Sequence, residues 1–375
     1  MNNIDTRASS EWFRRPSDQH FTDLNSMYRS CLISAEEAET RIIYSNKVKV
    51  IASTDNPDAL TLELPAENQG DQSLTTFLTH WSFGQLCGLV SAPASYMRKL
   101  PASLTATNLQ HGLINHRAEK LRAYSTYDGN TQLKAITGPN YGRIYDYEVI
   151  DAVRKIAGNG VDDTNWRVPG IWGKPLEEVT ESNTTLLASD RDVFIFLVDE
   201  QNPIEIGKLD NGDPDIVYRG FYTWNSEVGS RSFGIATFLY REVCENRIIW
   251  GQQDFQEVTF RHSKTAPERF LQQVQPALEH YANASTTRLL TGINNAKEKI
   301  VARNEDDGKD FLRARNFNKK QTDQILNAVL NEEGHEARSV WDFVQGITAV
   351  ARDIPNQDTR IHMELQANKL LKKVG

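Results

Sequence analysis

The chain has 375 residues, 39% hydrophobic and 25% charged, and its 42 basic side chains fall short of its 50 acidic ones, giving a formal net charge of −8. That length supports about two domains at ~150 residues each, with a core that needs no disulfide or metal staple. The charge excludes a uniformly basic coat for nucleic acid but leaves room for a local basic groove, because fields act within a Debye length of ~10 Å.

Taken in chain order, residues 1–33 read as an N-terminal arm carrying Arg7, Trp12, Phe13, Arg14 and Arg15. Residues 34–119 read as a mixed hairpin and helical section. Ile42–Ser53 and Leu60–Leu64 flank a turn at Asp55–Asp58, and Leu74, Phe77, Leu78 and Trp81 recur at helical spacing. Helices are expected after Pro93 and over Leu104–Arg117. Residues 120–266 read as a sheet-centred core. Leu121–Tyr127 and Thr131–Thr137 form a hairpin about Asp128-Gly129-Asn130, and a helix is predicted over Tyr145–Ala157.

Strands are expected over Thr184–Ala188, Asp192–Asp199, Ile216–Trp224, Arg247–Trp250 and Gln256–Arg261. The apolar run Val193–Val198 predicts a strand covered on both faces. Phe233–Cys244 fits a helix slightly better than a strand, since Ile235, Phe238, Leu239 and Val243 fall on one helical face. Residues 267–375 read as a helical C-terminal region. A long helix over Glu268–Asn304 is interrupted near Pro276 or Asn283–Thr287, and Lys319–Glu333, Ser339–Arg352 and Gln357–Lys373 follow. The fold class expected is α+β, with a mostly antiparallel central sheet, packed helices and a helical end.

Motifs for nucleotide chemistry are missing from the sequence. There is no G-x-x-x-x-G-K-S/T phosphate loop and no G-x-G-x-x-G after a strand. His335-Glu336 opens an H-E pair, but Ser339 stands where a second histidine would complete a zinc site. Glu205 and Lys208 have E-x-x-K spacing, which puts them on opposite strand faces. The cysteines Cys31, Cys87 and Cys244 form no C-x-x-C pair. No cofactor, no metal and no catalytic residue is assigned. No apolar run approaches the ~20 residues of a membrane span and no secretory apolar core opens the chain, so a cytoplasmic location without a membrane partner is expected.

What stands out is the mixture of cations, hydroxyls and aromatics between residues 218 and 264. Ser230-Arg231-Ser232, read as a turn before a helix N-terminus, combines N–H groups, hydroxyls and a guanidinium suited to an anion. Arg247, Arg261, His262 and Lys264 add donors, while Trp224 and Asn225 offer a stacking face and an amide. Phosphate contacts beside aromatic platforms are the means of holding single strands. Phe311–Lys320, with four basic residues and two phenylalanines, is a second basic candidate.

Asn225-Ser226-Glu227-Val228-Gly229 and Val243-Cys244-Glu245-Asn246 carry a family likeness as N-S-x-x-G and V-C-x-N. With Arg15-Pro16-Ser17-Asp18, Gln85–Tyr96 and Trp341–Thr348, the sequence resembles the mobile-element family called phage/plasmid-like protein, whose function is unknown. The resemblance implies a phage or plasmid setting in a bacterial host cell. By analogy with phage annealing proteins, it suggests single-stranded DNA as partner, recombination as setting and a homo-oligomer as working form.

The function expected is therefore non-enzymatic nucleic-acid binding, as an annealing or recombination accessory. The alternatives are a host-directed, anti-defence interaction protein, or a nucleic-acid-processing enzyme in which Glu227, Asp199 and Asp192 or Glu257 converge with a histidine.

Overall fold

The computed structural model describes residues 17–53, 59–68, 70, 72–115, 117–162, 164–168, 179–181, 184–208, 212–241, 246–248, 257–283, 285–354 and 357–371. The arginines and aromatics of residues 7–15, together with Cys244 and Trp250, lie outside the described residues.

A short strand, β1 (His20–Phe21), leads into helix α1 (Leu24–Glu36). Asp23 caps this helix, accepting the N–H groups of Asn25 and Ser26 at 2.8 Å each. The arm expected over 1–33 is thus a helix from Leu24 onward. Leu24 and Met27 are its buried face, a stripe too narrow to stand out among polar neighbours.

The next elements are β2 (Ala38–Tyr44), β3 (Lys49–Ala52), β4 (Leu60–Leu64), β5 (Leu74–Leu78), α2 (His80–Leu89), α3 (Ala94–Met97), α4 (Ala102–Asn115), β6 (Lys120–Asp128) and β7 (Asn130–Thr137). Their strands form a six-stranded sheet in the order β2-β6-β7-β5-β4-β3, with β5 and β7 parallel and every other pair antiparallel. The helices α2 and α4 cover one face, where Leu62, Leu64, Phe83, Leu86, Leu109 and Leu133 share a core.

Two expectations change here. The run from Ile42 is divided by a 3-10 turn at Ser45–Lys47, so Ile42 and Ile43 pair with β6 and only β3 forms the hairpin with β4. Leu74–Leu78 is strand, because Thr75-Thr76-Phe77 favours extension and Thr79 starts the helix, accepting the Ser82 N–H at 3.1 Å.

Helix α5 (Asp146–Ala157) crosses to a second sheet made by β8 (Trp166–Arg167), β9 (Leu186–Ala188), β10 (Val193–Asp199), β11 (Ile204–Lys208), β12 (Pro214–Asn225), β13 (Phe233–Arg241), β14 (Asn246–Ile248) and β15 (Glu257–Phe260). Its main order is β1-β9-β10-β12-β13-β14, with β8 on β10, β11 on β12 and β15 on β13. Every residue of β10 is buried, including Phe194, Phe196 and Val198 at 3%, 6% and 0% exposure, as its apolar run requires. One face packs Ile195, Leu197, Phe221, Phe233 and Ile235 with α1, α5 and the helix that follows β15.

The hairpin β6–β7 belongs to the first sheet, so residues 120–266 do not share a single sheet. The helix expected over Phe233–Cys244 is the strand β13 through Arg241, paired with β12 from Trp224↔Gly234 to Val217↔Arg241. Its helical periodicity is a coincidence of a strand buried on both faces, where apolar residues carry no clean period of two.

The helical region contains α6 (Ala266–Ala282), α7 (Thr287–Glu298), α8 (Glu305–Arg313), α9 (Lys319–Glu333), α10 (Val340–Arg352) and α11 (Gln357–Leu371). Pro276 stays inside α6, which ends at Ala282, and α7 begins at Thr287. Helix α8, not foreseen, starts at Asn304, which accepts the Asp307 N–H. Trp341, Val344 and Ile347 pack against Ile204, Ile206, Val217 and Leu239 of the second sheet. The fold is α+β with a helical C-terminal region. Among the described residues, no helix is long and apolar enough to cross a membrane.

Candidate functional site

The turn joining β12 to β13, residues 226–232, is where the two sheets meet. It is held from both sides. Val228 offers its carbonyl to Trp81 Nε1 at 3.0 Å and to Gln85 Nε2 at 3.1 Å. Tyr141 Oη donates to the Ser226 carbonyl at 3.0 Å, and Arg143 donates to the carbonyl of Glu227. Ser226 Oγ donates to the Arg191 carbonyl at 2.6 Å and accepts the Ser230 N–H at 2.9 Å. The turn therefore has little freedom of its own.

Two further loops close on it. Gly142 donates its N–H to the His262 carbonyl at 3.1 Å, and a Cβ built at Gly142 would lie 2.0 Å from the Ser263 carbonyl oxygen. Only glycine permits that approach. Tyr141 stacks on His262 with ring centroids 4.9 Å apart, and Arg122 Nη1 donates to the Tyr141 carbonyl at 3.3 Å. Burial pushes the His262 pKa down to about 4, although backbone at Gly142 and Arg231 favours the charged form. Desolvation holds the Tyr141 hydroxyl well above its ordinary value.

The residues singled out in the sequence divide accordingly. Arg231, Ser230, Ser232, Arg261, His262 and Lys264 lie at one end of the second sheet, where β15 pairs Phe260 with Phe233. Arg261 and Lys264 are exposed there. Arg231 Nε lies 3.3 Å from the buried Asp192 carboxylate, and the turn leads into β13, so the helix N-terminus expected after Ser232 does not exist. Ser230 Oγ donates to Ser226 Oγ at 2.8 Å.

Asn225 is fully buried, donating to the Ile144 carbonyl at 2.8 Å and to Asp146 Oδ1 at 2.7 Å. Trp224 stacks on Tyr222 at 5.6 Å and occupies the space over Gly234, so its ring is packed rather than presented. Arg247 pairs with Tyr240 in register, six residues along β13 from Gly234, or ~20 Å from the turn at ~3.3 Å per residue. In the second basic candidate, the Arg315 guanidinium lies over the Phe311 ring at 3.5 Å and donates to the Phe311 carbonyl.

On its other side the turn inserts Glu227 beneath the first sheet. Glu227 Oε1 accepts Tyr124 Oη at 3.2 Å and stands 3.6 Å from Lys134 Nζ, while Oε2 accepts the Asp146 N–H at 3.3 Å. Desolvation, and then Glu227 beside it, raise the Asp146 pKa well above the usual carboxylate range. The same causes, in the same order, keep the Tyr124 hydroxyl protonated. Desolvation followed by Asp146 and Glu227 pushes up the Cys31 thiol, which suits a neutral thiol rather than a nucleophilic thiolate. Asp146, Glu227, Lys134 and Cys31 all face a cleft of about 600 Å³.

The enzymatic constellation named from the sequence does not assemble. Asp199 is bound by Asn202 at 2.9 and 3.0 Å at the far end of β10, Glu257 sits opposite Ala236, and no histidine among the described residues lines the cleft. Asp146, Lys134, Arg122 and Arg143 carry no local signal in the sequence because they come from β6, β7, the loop before α5 and the first residue of α5, elements whose nearness to the turn is set by tertiary packing alone.

No curated protein and no solved structure gives a significant match to this chain. Residues 176–360 match the model of a family described as a domain of unknown function (DUF932); the match takes in the turn and the β15 end, while Asp146, Lys134 and the loop of Tyr141 lie outside it.

Proposed function

We propose that this chain binds single-stranded nucleic acid without catalysing a reaction on it, at the corner where loops 138–143, 226–232 and 261–264 close on one another. The observation that carries the reading is that convergence. It gathers Arg122, Arg143, Arg231, Arg261 and Lys264, from four separate stretches, in a chain whose net charge is −8. Within this set Arg261 and Lys264 are the phosphate contacts. Arg231, held by Asp192, and Arg143, over the Tyr124 ring at 3.7 Å, shape the corner and contribute to its field. The resemblance to a phage/plasmid family supports an annealing or recombination role in the cytoplasm of a bacterial host, with a homo-oligomer as the working form.

Fluorescence anisotropy with a labelled single-stranded oligonucleotide, read over a salt series, tests this. Arg261→Ala and Lys264→Ala should each lower the log–log salt slope by about 0.7, because each removes one phosphate contact and its counterion release. If the wild-type protein binds no oligonucleotide even at low salt, the reading fails and a host-directed interaction role takes its place.

A further inference from the structure

The cleft behind the turn is a site of a different kind. Its walls are helix α1, the β6–β7 hairpin and the β9–β10 turn, and its volume of about 600 Å³ lies within the range of small-molecule pockets. Asp18, Glu37 and Asp190 line it and are exposed, while Asp146 and Glu227 line it and are 4% and 5% exposed. Among the described residues Lys134, 9% exposed, is the one ammonium on the lining, and its Nζ lies 3.1 Å from Ser34 Oγ as well as near Glu227.

The Asp146 carboxyl is only half satisfied. Asn225 donates to Oδ1 at 2.7 Å, and no hydrogen bond from the described residues reaches Oδ2. Oδ2 therefore keeps its acceptor capacity free toward the open cleft, where a ligand donor can reach it. Besides the neutral Asp146, four carboxyl groups face one ammonium among the described residues, which disfavours phosphates and favours a cation. No group of three metal-ligating side chains converges among the described residues, which points away from a metal ion and toward an organic cation.

We propose that this cleft binds a small molecule bearing a protonated amine, with Asp146 Oδ2 and Glu227 as its anchors. The reading is independent of nucleic-acid binding, which uses the opposite side of the turn and the opposite charge. Asp146 keeps its proton far above the pH at which an exposed aspartate loses it, under the combined action of burial, Glu227 and Asp192, with Asn225 and Lys134 opposing. The neighbouring Cys31 thiol and Tyr124 hydroxyl are themselves held neutral. An ammonium therefore displaces a proton as it binds, and affinity rises with pH.

Isothermal titration calorimetry of the full chain with spermidine at low ionic strength, in two buffers of different ionisation enthalpy, tests the proposal, with inorganic phosphate as control. Expected are saturable spermidine binding, proton release in the wild-type protein, and no phosphate binding in the cleft. Asp146→Asn, which matches the protonated carboxyl in size, should weaken binding by roughly tenfold or more and abolish proton release. Should that variant fail to fold, Asp18→Asn with Asp190→Asn on the exposed wall should weaken binding by about threefold, the smaller effect expected of screened charges. No saturable heat at millimolar spermidine, or binding without proton release, overturns the proposal, as does equal affinity in a folded Asp146→Asn protein.

Discussion

Arg231 stands 3.3 Å from a carboxylate that is itself buried, and this decides what its removal does. Arg231→Ala removes this guanidinium from Asp192, whose Oδ1 also accepts Ser189 Oγ at 2.9 Å. The expected loss is about 1–3 kcal/mol of stability, read as a lower melting temperature, because a buried carboxylate that loses a charged neighbour keeps its desolvation penalty. The oligonucleotide salt slope should stay unchanged in the same protein, separating a positioning cation from the exposed Arg261 and Lys264. A lower slope with an unchanged melt would move Arg231 into the phosphate-contact set. Trp224 argues the same way. Its ring fills the place where a Cβ on Gly234 would fall, at 2.0 Å, so the pair is a packing device before it is a stacking platform.

At the scale of elements, the junction of β15 with the loop before α5 depends on a neutral histidine. His262 has a folded pKa of about 4 against 6.5 when free, so the unfolded chain takes up a proton before the folded one does. Its contribution to stability is whole above about pH 6.5 and is lost progressively as pH falls toward about 4, a loss of about 3 kcal/mol at most. Asp146, raised instead of lowered, works in the opposite sense and so offsets part of this on the acid side. Melting temperatures of wild type and His262→Gln, compared between about pH 7 and about pH 4.5, isolate the histidine, and the wild type should lose more. Parallel profiles would mean that the junction does not hold His262 neutral.

Across the whole molecule, the helical region is part of the body's core rather than an appendage. Phe270, Val274 and Leu278 of α6 share a core with Phe233 and Phe221, while Val340, Phe343 and Ile347 of α10 share one with Val217 and Leu239. A chain ending at residue 264 would expose both surfaces. It should be recovered aggregated, or as a species binding a hydrophobic dye and lacking a cooperative melt. A soluble truncated protein with an unchanged melt would show that the two sheets do not need these helices. The first sheet, by contrast, carries its own cover in α2 and α4, and this explains why the turn at 226–232 is the seam between the two parts.

The sequence by itself determined the elements whose signal is local. The buried run Val193–Val198, the hairpin about Gly129 and the helices over Lys319–Glu333 and Val340–Arg352 all follow from composition and short-range stereochemistry, which leave the break in the long helix open between Pro276 and Asn283–Thr287. It also marked the stretch 218–264 as chemically unusual, and Arg231, Arg261, His262 and Lys264 do meet there. Only the tertiary structure decided that Phe233–Arg241 is extended, because a strand buried on both faces loses the alternation that would announce it. Likewise, nothing in the spacing of Lys134, Asp146 and Glu227 relates them. Their meeting depends on β7, α5 and the β12–β13 turn being stacked by two cores that no local pattern encodes, and burial of the carboxyl groups in that stack gives the cleft its chemistry.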